Sequence, residues 1–224
     1  MKISVRGIGW ITSSEYGCVR TGVRQDFTAG GGHEALLKKG IFTSPVKNFG
    51  RFDRVSRMTC YSIGLALRDA GIEYSSTRKQ DIGIIGTNAE GSLRSDIEYF
   101  RDYLAGGRKL SRGNLFIYTL PSSPLGEAAI HFGLLGPLLY VTGTDTVLTM
   151  ALDAAKEMLL AGETPIMLAG RADDDEAVYF VLGAGPGTDS AEFLGFAEAR
   201  NLAETCSDAA ELAHNYQLAY AGKG

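Results

Sequence analysis

The densest run of chemistry-bearing side chains is Asp173-Asp174-Asp175-Glu176. Adjacent carboxylates suit a hard divalent cation. Four acids that follow a strand more simply form a solvated turn, and that is the expectation adopted here. A second group is basic: Arg101, Arg108, Lys109 and Arg112. Such a patch would complement an acidic partner. The histidines His33, His131 and His214 and the cysteines Cys18, Cys60 and Cys206 share no metal-ligand or disulfide spacing. No metal and no cofactor is expected. Cys60 lies mid-helix beside Met58 and Tyr61 and reads as a small apolar residue, not a thiolate. His33 falls in a glycine loop and His214 on a solvated helix face. GIGWIT (7–12) and GAGPG (183–187) carry glycines in the manner of phosphate loops. Neither completes GxGxxG between a strand and a helix, so no dinucleotide site is expected.

The elements that would position these groups alternate between strand and helix patterns, which points to an α/β fold. Residues 2–12 read as a first strand. Asp53 is a good helix N-cap and Gly71 a good stop, with Met58, Tyr61, Leu65 and Ala66 at helical spacing between them. DIGIIGTN, residues 81–88, suits a buried parallel strand. Residues 92–104 read as an amphipathic helix with Ile97, Phe100, Tyr103 and Leu104 inward, followed by a basic loop over 106–113. A second helix covers 122–133, where Pro124 is tolerated in the first turn. A strand at 138–142 leads almost at once into a helix over 146–161. Apolar residues surround most of that helix, so it should be buried nearly all round or lie at a subunit interface. Asp145 precedes it and reads as its N-cap. Strands at 165–170 and 177–183 follow. The alanine-rich tail is read as helical, with Asp189/Glu192 and Asp208/Glu211 as capping pairs.

Composition narrows the function classes. The 224 residues are 45% hydrophobic and 21% charged, an ordinary globular balance for one good-sized domain rather than a disordered chain. The net charge of −4 leaves no basic footprint for nucleic acid. No apolar run approaches a membrane span. Arg6 interrupts the stretch where a signal peptide would be apolar. A cytoplasmic protein is expected.

Five segments in order resemble the N-terminal half of a β-ketoacyl synthase of the thiolase superfamily. They are GIGWITSSEYG, FDRVSRMTCYSIGLALRDAGIE, DIGIIGTN, AAIHFGLLGP, and the strand–turn–helix at 138–161 closed by PIMLAGRAD. Together they cover roughly residues 3–183, with AAIHFGLLGP and MLAG the most specific. The resemblance implies a thiolase-like half-fold: a five-stranded mixed sheet on the helix 146–161, with covering helices on the opposite face. Residues 1–187 would form the synthase-like N-terminal domain, and 188–224 a helical C-terminal extension of it. His131, inside AAIHFGL, would be structural.

In the resembled family a nucleophilic cysteine sits on the turn before the buried helix. A helix N-terminus there favours a thiolate and an oxyanion. Counted from Gly136-Pro137, that position is Asp145 in this chain. An ionised carboxylate at a helix N-terminus is a good cap and a poor nucleophile. The half that supplies the family's two catalytic histidines has no counterpart in the sequence. No catalytic residue is therefore assigned. By resemblance, Tyr140, Val141, Thr142, Thr144, Asp145 and Met150 should lie at a dimer interface. Arg108, Lys109 and Arg112 would dock an acyl carrier protein.

The implied function is a ketosynthase-like partner in fatty-acid or polyketide-type biosynthesis. It would lack condensing activity of its own and pair, like a chain-length factor, with a complete ketosynthase. A homodimer is the other assembly. An acyl-thioester-binding acyltransferase-type enzyme, or a non-catalytic module for acyl carrier protein, are the alternatives.

Overall fold

Apolar side chains alternate along two adjacent strands and divide the interior into two cores. The computed structural model describes residues 2–27, 38–109, 111–143, 147–185 and 195–221. Its sheet comprises β1 (Ile3–Ile11), β2 (Glu15–Cys18), β3 (Arg24–Asp26), β4 (Ile82–Thr87), β5 (Leu138–Tyr140), β6 (Ile166–Ala172) and β7 (Ala177–Ala184). The spatial order is β3-β2-β1-β7-β6-β4-β5. β4 runs parallel to β5 and β6; the remaining pairs are antiparallel. On β7, Val178, Phe180 and Leu182 enter one core while Tyr179 and Val181 enter the other. Met167 and Ala169 on β6 face one way and Leu168 the other. This two-sided burial follows from the period-2 alternation of a strand.

The first face carries α2 (Arg54–Asp69) and α5 (Ser123–Phe132), the second α6 (Val147–Ala161), α7 (Phe196–Thr205) and α8 (Ala209–Ala221). Asp53 caps α2 by accepting from Ser56 N at 2.8 Å. Gly71, at φ 68°, follows its C-terminus. α2 lies directly on β1, where Gly7 and Gly9 leave no Cβ between the backbones. A Cβ at Gly9 would meet Ala66 N at 2.2 Å. The glycines of GIGWIT therefore serve packing, not a phosphate. The buried Asp69 carboxylate accepts from Ile8 N, Arg20 N and Thr21 N at 2.8, 3.0 and 2.9 Å, which pins β1 and the following hairpin to α2. Burial raises its pKa against the pull of those bonds.

Three expectations need correction. Among the described residues the sheet has seven strands, not five. The additional hairpin β2–β3 turns at Gly22 (φ 65°), and β3 is fully exposed Arg-Gln-Asp, which carries no apolar alternation to read. Second, the helix over 146–161 is not buried all round. Leu148, Ala151, Leu152, Ala155 and Leu159 are buried, but Met150 and Leu160 are each 42% exposed, because the sheet backs only one side. Third, the apolar stripe of α3 (Leu93–Ala105) does not face inward. Ile97, Phe100 and Leu104 are exposed and no α3 residue is buried. α3 packs chiefly on the short α4 (Gly113–Ile117), which lies within the stretch read as loop and its continuation. The short helix α1 (Lys38–Ile41) begins just beyond the segment 28–37, which contains His33 and lies outside the described residues.

The described part of the tail, residues 195–221, carries two helices, as expected. Ala199, Ala209, Leu212, Ala213 and Tyr216 of α7 and α8 join the second core with Val5, Ile8 and Phe180. Asp208 accepts from Glu211 N at 2.8 Å, and Glu211 accepts in turn from Ser207 N at 2.8 Å. Asp189 and Glu192 lie outside the described residues.

Candidate functional site

Parallel strands open a crevice at their carboxyl ends, where loops rather than side-chain layers fill the space. Here β4 and β6 end beside a cleft of about 510 Å3. One wall is the start of α2 (Asp53, Arg54, Val55). The second is the β4–α3 loop and first turns of α3, from Asn88 to Glu98. The third is the α4–α5 segment, with Tyr118, Leu120, Pro121 and Pro124. The fourth is the β6–β7 turn, Asp173–Glu176.

That acidic turn is not a freely solvated loop. Arg54 donates to Asp175 Oδ1 at 2.6 Å and to Asp174 O at 3.0 Å. Arg94 pairs with Asp174, and Arg171 with Asp173 (3.1 Å) and Glu176. Asp173 also accepts from Ala89 N, and Glu176 from Ala209 N, both at 3.0 Å. The four acids thus join α2, α3, the β4–α3 loop and α8. The sequence does not show these ties because Arg54 and Arg94 are remote from the acids in the chain and only the fold brings them together. Among the described residues no cluster of His, Cys, Asp and Glu is arranged to hold a metal ion.

The cleft floor is polar. Asp53 serves twice: Oδ1 caps α2 and Oδ2 accepts from Ser95 Oγ at 3.0 Å. Tyr118, almost fully buried, points its hydroxyl to Glu127 Oε1 at 3.4 Å. Burial raises the pKa of both groups, and the Asp53 charge adds to it. Cys60 lies nearby; complete burial pushes its thiol far above the ordinary range, so it is no nucleophile. Cys18 is likewise raised, to about 12, chiefly by burial. These groups can hold protons and orient polar atoms. They form no nucleophile–base pair of the kind covalent catalysis needs.

At the far edge of the sheet, among the described residues, β5 pairs with β4 alone, leaving one side without a strand. Leu138 and Leu139 are exposed, Tyr140 and Val141 half-buried, and Thr142 exposed. Strand geometry ends at Tyr140, two residues before the expected end. Met150, one turn into α6, is also exposed. The turn with Thr144 and Asp145 lies outside the described residues.

The segment that carries these features matches a known family. The β-ketoacyl synthase N-terminal domain matches residues 20–179, which includes α2, the cleft, β5 and α6. The chain belongs to the β-ketoacyl synthase family. Solved ketosynthase structures share its thiolase-like fold. The ishigamide ketosynthase/chain length factor superposes with a TM-score of 0.64 at 16% identity, over 86% of this chain and 65% of that one. A β-ketoacyl synthase from Burkholderia phymatum STM815 gives 0.62 at 16% identity, over 82% and 59%. The type II polyketide ketosynthase AntDE, in complex with its acyl carrier protein AntF, gives 0.57 at 13% identity, over 82% and 58%. The chain therefore spans less than two thirds of the structures it resembles. No curated protein matches it.

Within this ketosynthase domain the remaining expected residues separate. His131 is buried among Phe42, Tyr74 and Phe132, a packing position. His214 is exposed on α8. Arg108 and Lys109 are exposed in the turn after α3. Arg112 is already engaged: its Nε and backbone N both donate to Asp102, each at 2.9 Å. No described helix is long and apolar enough to cross a membrane.

Proposed function

We propose that this chain is the non-condensing partner of a complete ketosynthase, acting in fatty-acid or polyketide-type biosynthesis in the manner of a chain-length factor. The observation that carries the reading is the β5 edge, unpaired among the described residues, together with exposed apolar side chains. Leu138 and Leu139 line the edge, and Ile97, Phe100, Phe116 and Leu120 stand exposed on the α3–α4 side. Exposed apolar area of this kind marks a protein interface, and an open strand edge invites pairing. Tyr140, Val141, Thr142, Thr144, Asp145 and Met150 would face the partner.

Asp145 at the nucleophile position fits a subunit that shapes a shared site without attacking a thioester. Arg108 and Lys109, with a smaller share from Arg112, would receive an acidic acyl carrier protein. Residues 188–224 act as part of the same domain. The protein would work in the cytoplasm, where carrier proteins and ketosynthases meet.

The test is the mass in solution of the purified chain, alone and after co-expression with a full-length ketosynthase. A 1:1 heterodimer is expected. A stable homodimer that ignores the ketosynthase would sink the partner reading in favour of a self-contained module. Stable transfer of a radiolabelled acyl group to the isolated chain would replace it with an acyltransferase-type enzyme.

A further inference from the structure

α3 forms one wall of the cleft yet buries none of its residues. Helices of this length normally gain their stability from a packed apolar face. The ties seen between α3 and the core are polar instead. Arg94 pairs with Asp174 on the β6–β7 turn. Ser95 Oγ donates to Asp53 Oδ2 at 3.0 Å, at the cap of α2. Ser92 Oγ donates to Thr119 O at 2.8 Å. The first two run from α3 to the other walls of the cleft.

Both ends of the helix carry left-handed backbone. Gly91 at the entry has φ 63°, and Gly107 and Arg108 at the exit have φ 71° and 62°. The glycines allow the chain to turn sharply without a Cβ penalty. The non-glycine Arg108 in that region stores conformational strain. A rigid helix between two such points can pivot as a unit, as hinged segments do.

We propose that α3 is a latched wall whose closure over the cleft is set by ionic strength. The Arg94–Asp174 pair, helped by Ser95–Asp53, holds it shut. The Arg94 side chain is 56% exposed, so salt weakens the latch directly. Salt or loss of the pair lets α3 swing outward about Gly91 and Gly107 and admits solutes to the space beside Tyr118 and Asp53. The device is independent of which partner the chain binds.

Hydrogen exchange on the intact chain tests it. Swung away from the other walls, a 13-residue helix with no buried face frays, so amides of residues 93–105 should exchange about two- to five-fold faster at high salt than at low salt, the range an exposed ion pair can supply. Those of α2 should not change. Arg94→Gln should show the fast rate at low salt and lose the salt response. The exchanged pair Arg94→Asp with Asp174→Arg should recover slow exchange at low salt, which a merely local loss of structure would not do. A second readout is alkylation of Val55→Cys on the cleft wall, in a background with Cys206→Ser. At one fixed salt concentration, Arg94→Gln should quicken it and the exchanged pair should return it. Unchanged exchange in Arg94→Gln overturns the proposal. So does an exchanged pair that stays as open as Arg94→Gln.

Discussion

The Tyr140 hydroxyl donates to Asn88 Oδ1 at 2.7 Å and so ties the last strand of the sheet to the end of β4. Asn88 spends the rest of its amide on one residue: Oδ1 accepts from Gly91 N at 2.6 Å and Nδ2 donates to Gly91 O at 3.0 Å. Gly91 opens the path into α3. One amide therefore holds both the edge strand and the cleft wall. Tyr140→Phe removes one bond and should cost about 1 kcal/mol; Asn88→Ala removes three and strands backbone groups, so it should cost about 2–3 kcal/mol. Denaturant midpoints measure both. Equal losses would mean that the amide is not the junction.

The close approach of β1 and α2 makes a sharper prediction. A methyl group at Gly9 would lie 2.2 Å from Ala66 N and 2.3 Å from Ser62 O, both backbone atoms. Neither can yield without moving the helix. Gly9→Ala should cost more than about 3 kcal/mol, at the upper end of what overpacking does. Gly113→Ala, with nothing within 4 Å, is the control and should be close to neutral. A folded Gly9→Ala protein with an unshifted melting temperature would contradict the packing described.

How much of this was legible in the sequence follows from the range of the signals. Asp53 as a cap and Gly71 as a stop are local, and both hold. The order of strands and helices also follows from periodicity and from the ordered motifs. Polar β3 has no alternation to detect, so the sheet was undercounted. For α3 the amphipathic pattern is present and its apolar stripe is nonetheless exposed. An apolar stripe reports that a surface needs covering, not whether this chain covers it. The acidic turn failed for the opposite reason. Its partners Arg54 and Arg94 are remote in sequence, and only the fold brings them to Asp174 and Asp175.

If the basic patch docks an acyl carrier protein as proposed, binding should depend unequally on its three residues. Arg112 is bonded to Asp102 through both its side chain and its backbone, so its charge is partly spent. Arg108→Ala with Lys109→Ala should weaken salt-sensitive binding nearly as much as the triple variant. Arg112→Ala alone should change it less than about two-fold, as for a charge already paired at the rim. Titration calorimetry at two salt concentrations reads the difference. Binding that survives the triple variant would remove the patch as the docking surface.

The C-terminal helices are integral to the second core, so residues 188–224 should not be separable. Tyr216 is fully buried and its ring lies 6.4 Å from that of Phe180 on β7. Arg200 grips Asp153 of α6 through Nε, at 3.0 and 2.9 Å. Tyr216→Ala should cost about 3–5 kcal/mol, as for other large buried aromatics. Arg200→Ala, with both partners half-exposed, should cost under about 1 kcal/mol. Deleting 188–224 uncovers Val5, Ile8 and Phe180 and should give an aggregating protein that binds a hydrophobic dye. A soluble, equally stable truncation would show that the extension is dispensable.

His131 should make the protein sensitive to mild acid. Its ring meets Phe42, Tyr74 and Phe132 at 5.4, 5.9 and 4.7 Å, and burial lowers its pKa. The buried Nε2 has no hydrogen-bond partner. The fold therefore holds His131 neutral, while the unfolded chain takes up a proton near pH 6.5. Below that pH the unfolded state binds more protons, so stability falls as pH drops from about 6.5 toward the lowered folded value. Glu127, one turn earlier on α5, acts in the opposite sense. Its pKa is raised by burial, so protonation near and above the ordinary carboxylate range favours the fold. The His131 loss sets in as pH falls through about 6.5, and the gain from protonating Glu127 offsets part of it at lower pH. His131→Phe keeps the aromatic packing and removes the titration. It should flatten the stability profile just below about pH 6.5 and leave the decline at lower pH. If the variant and the wild type lose stability in parallel across that window, the acid sensitivity lies elsewhere than in this ring.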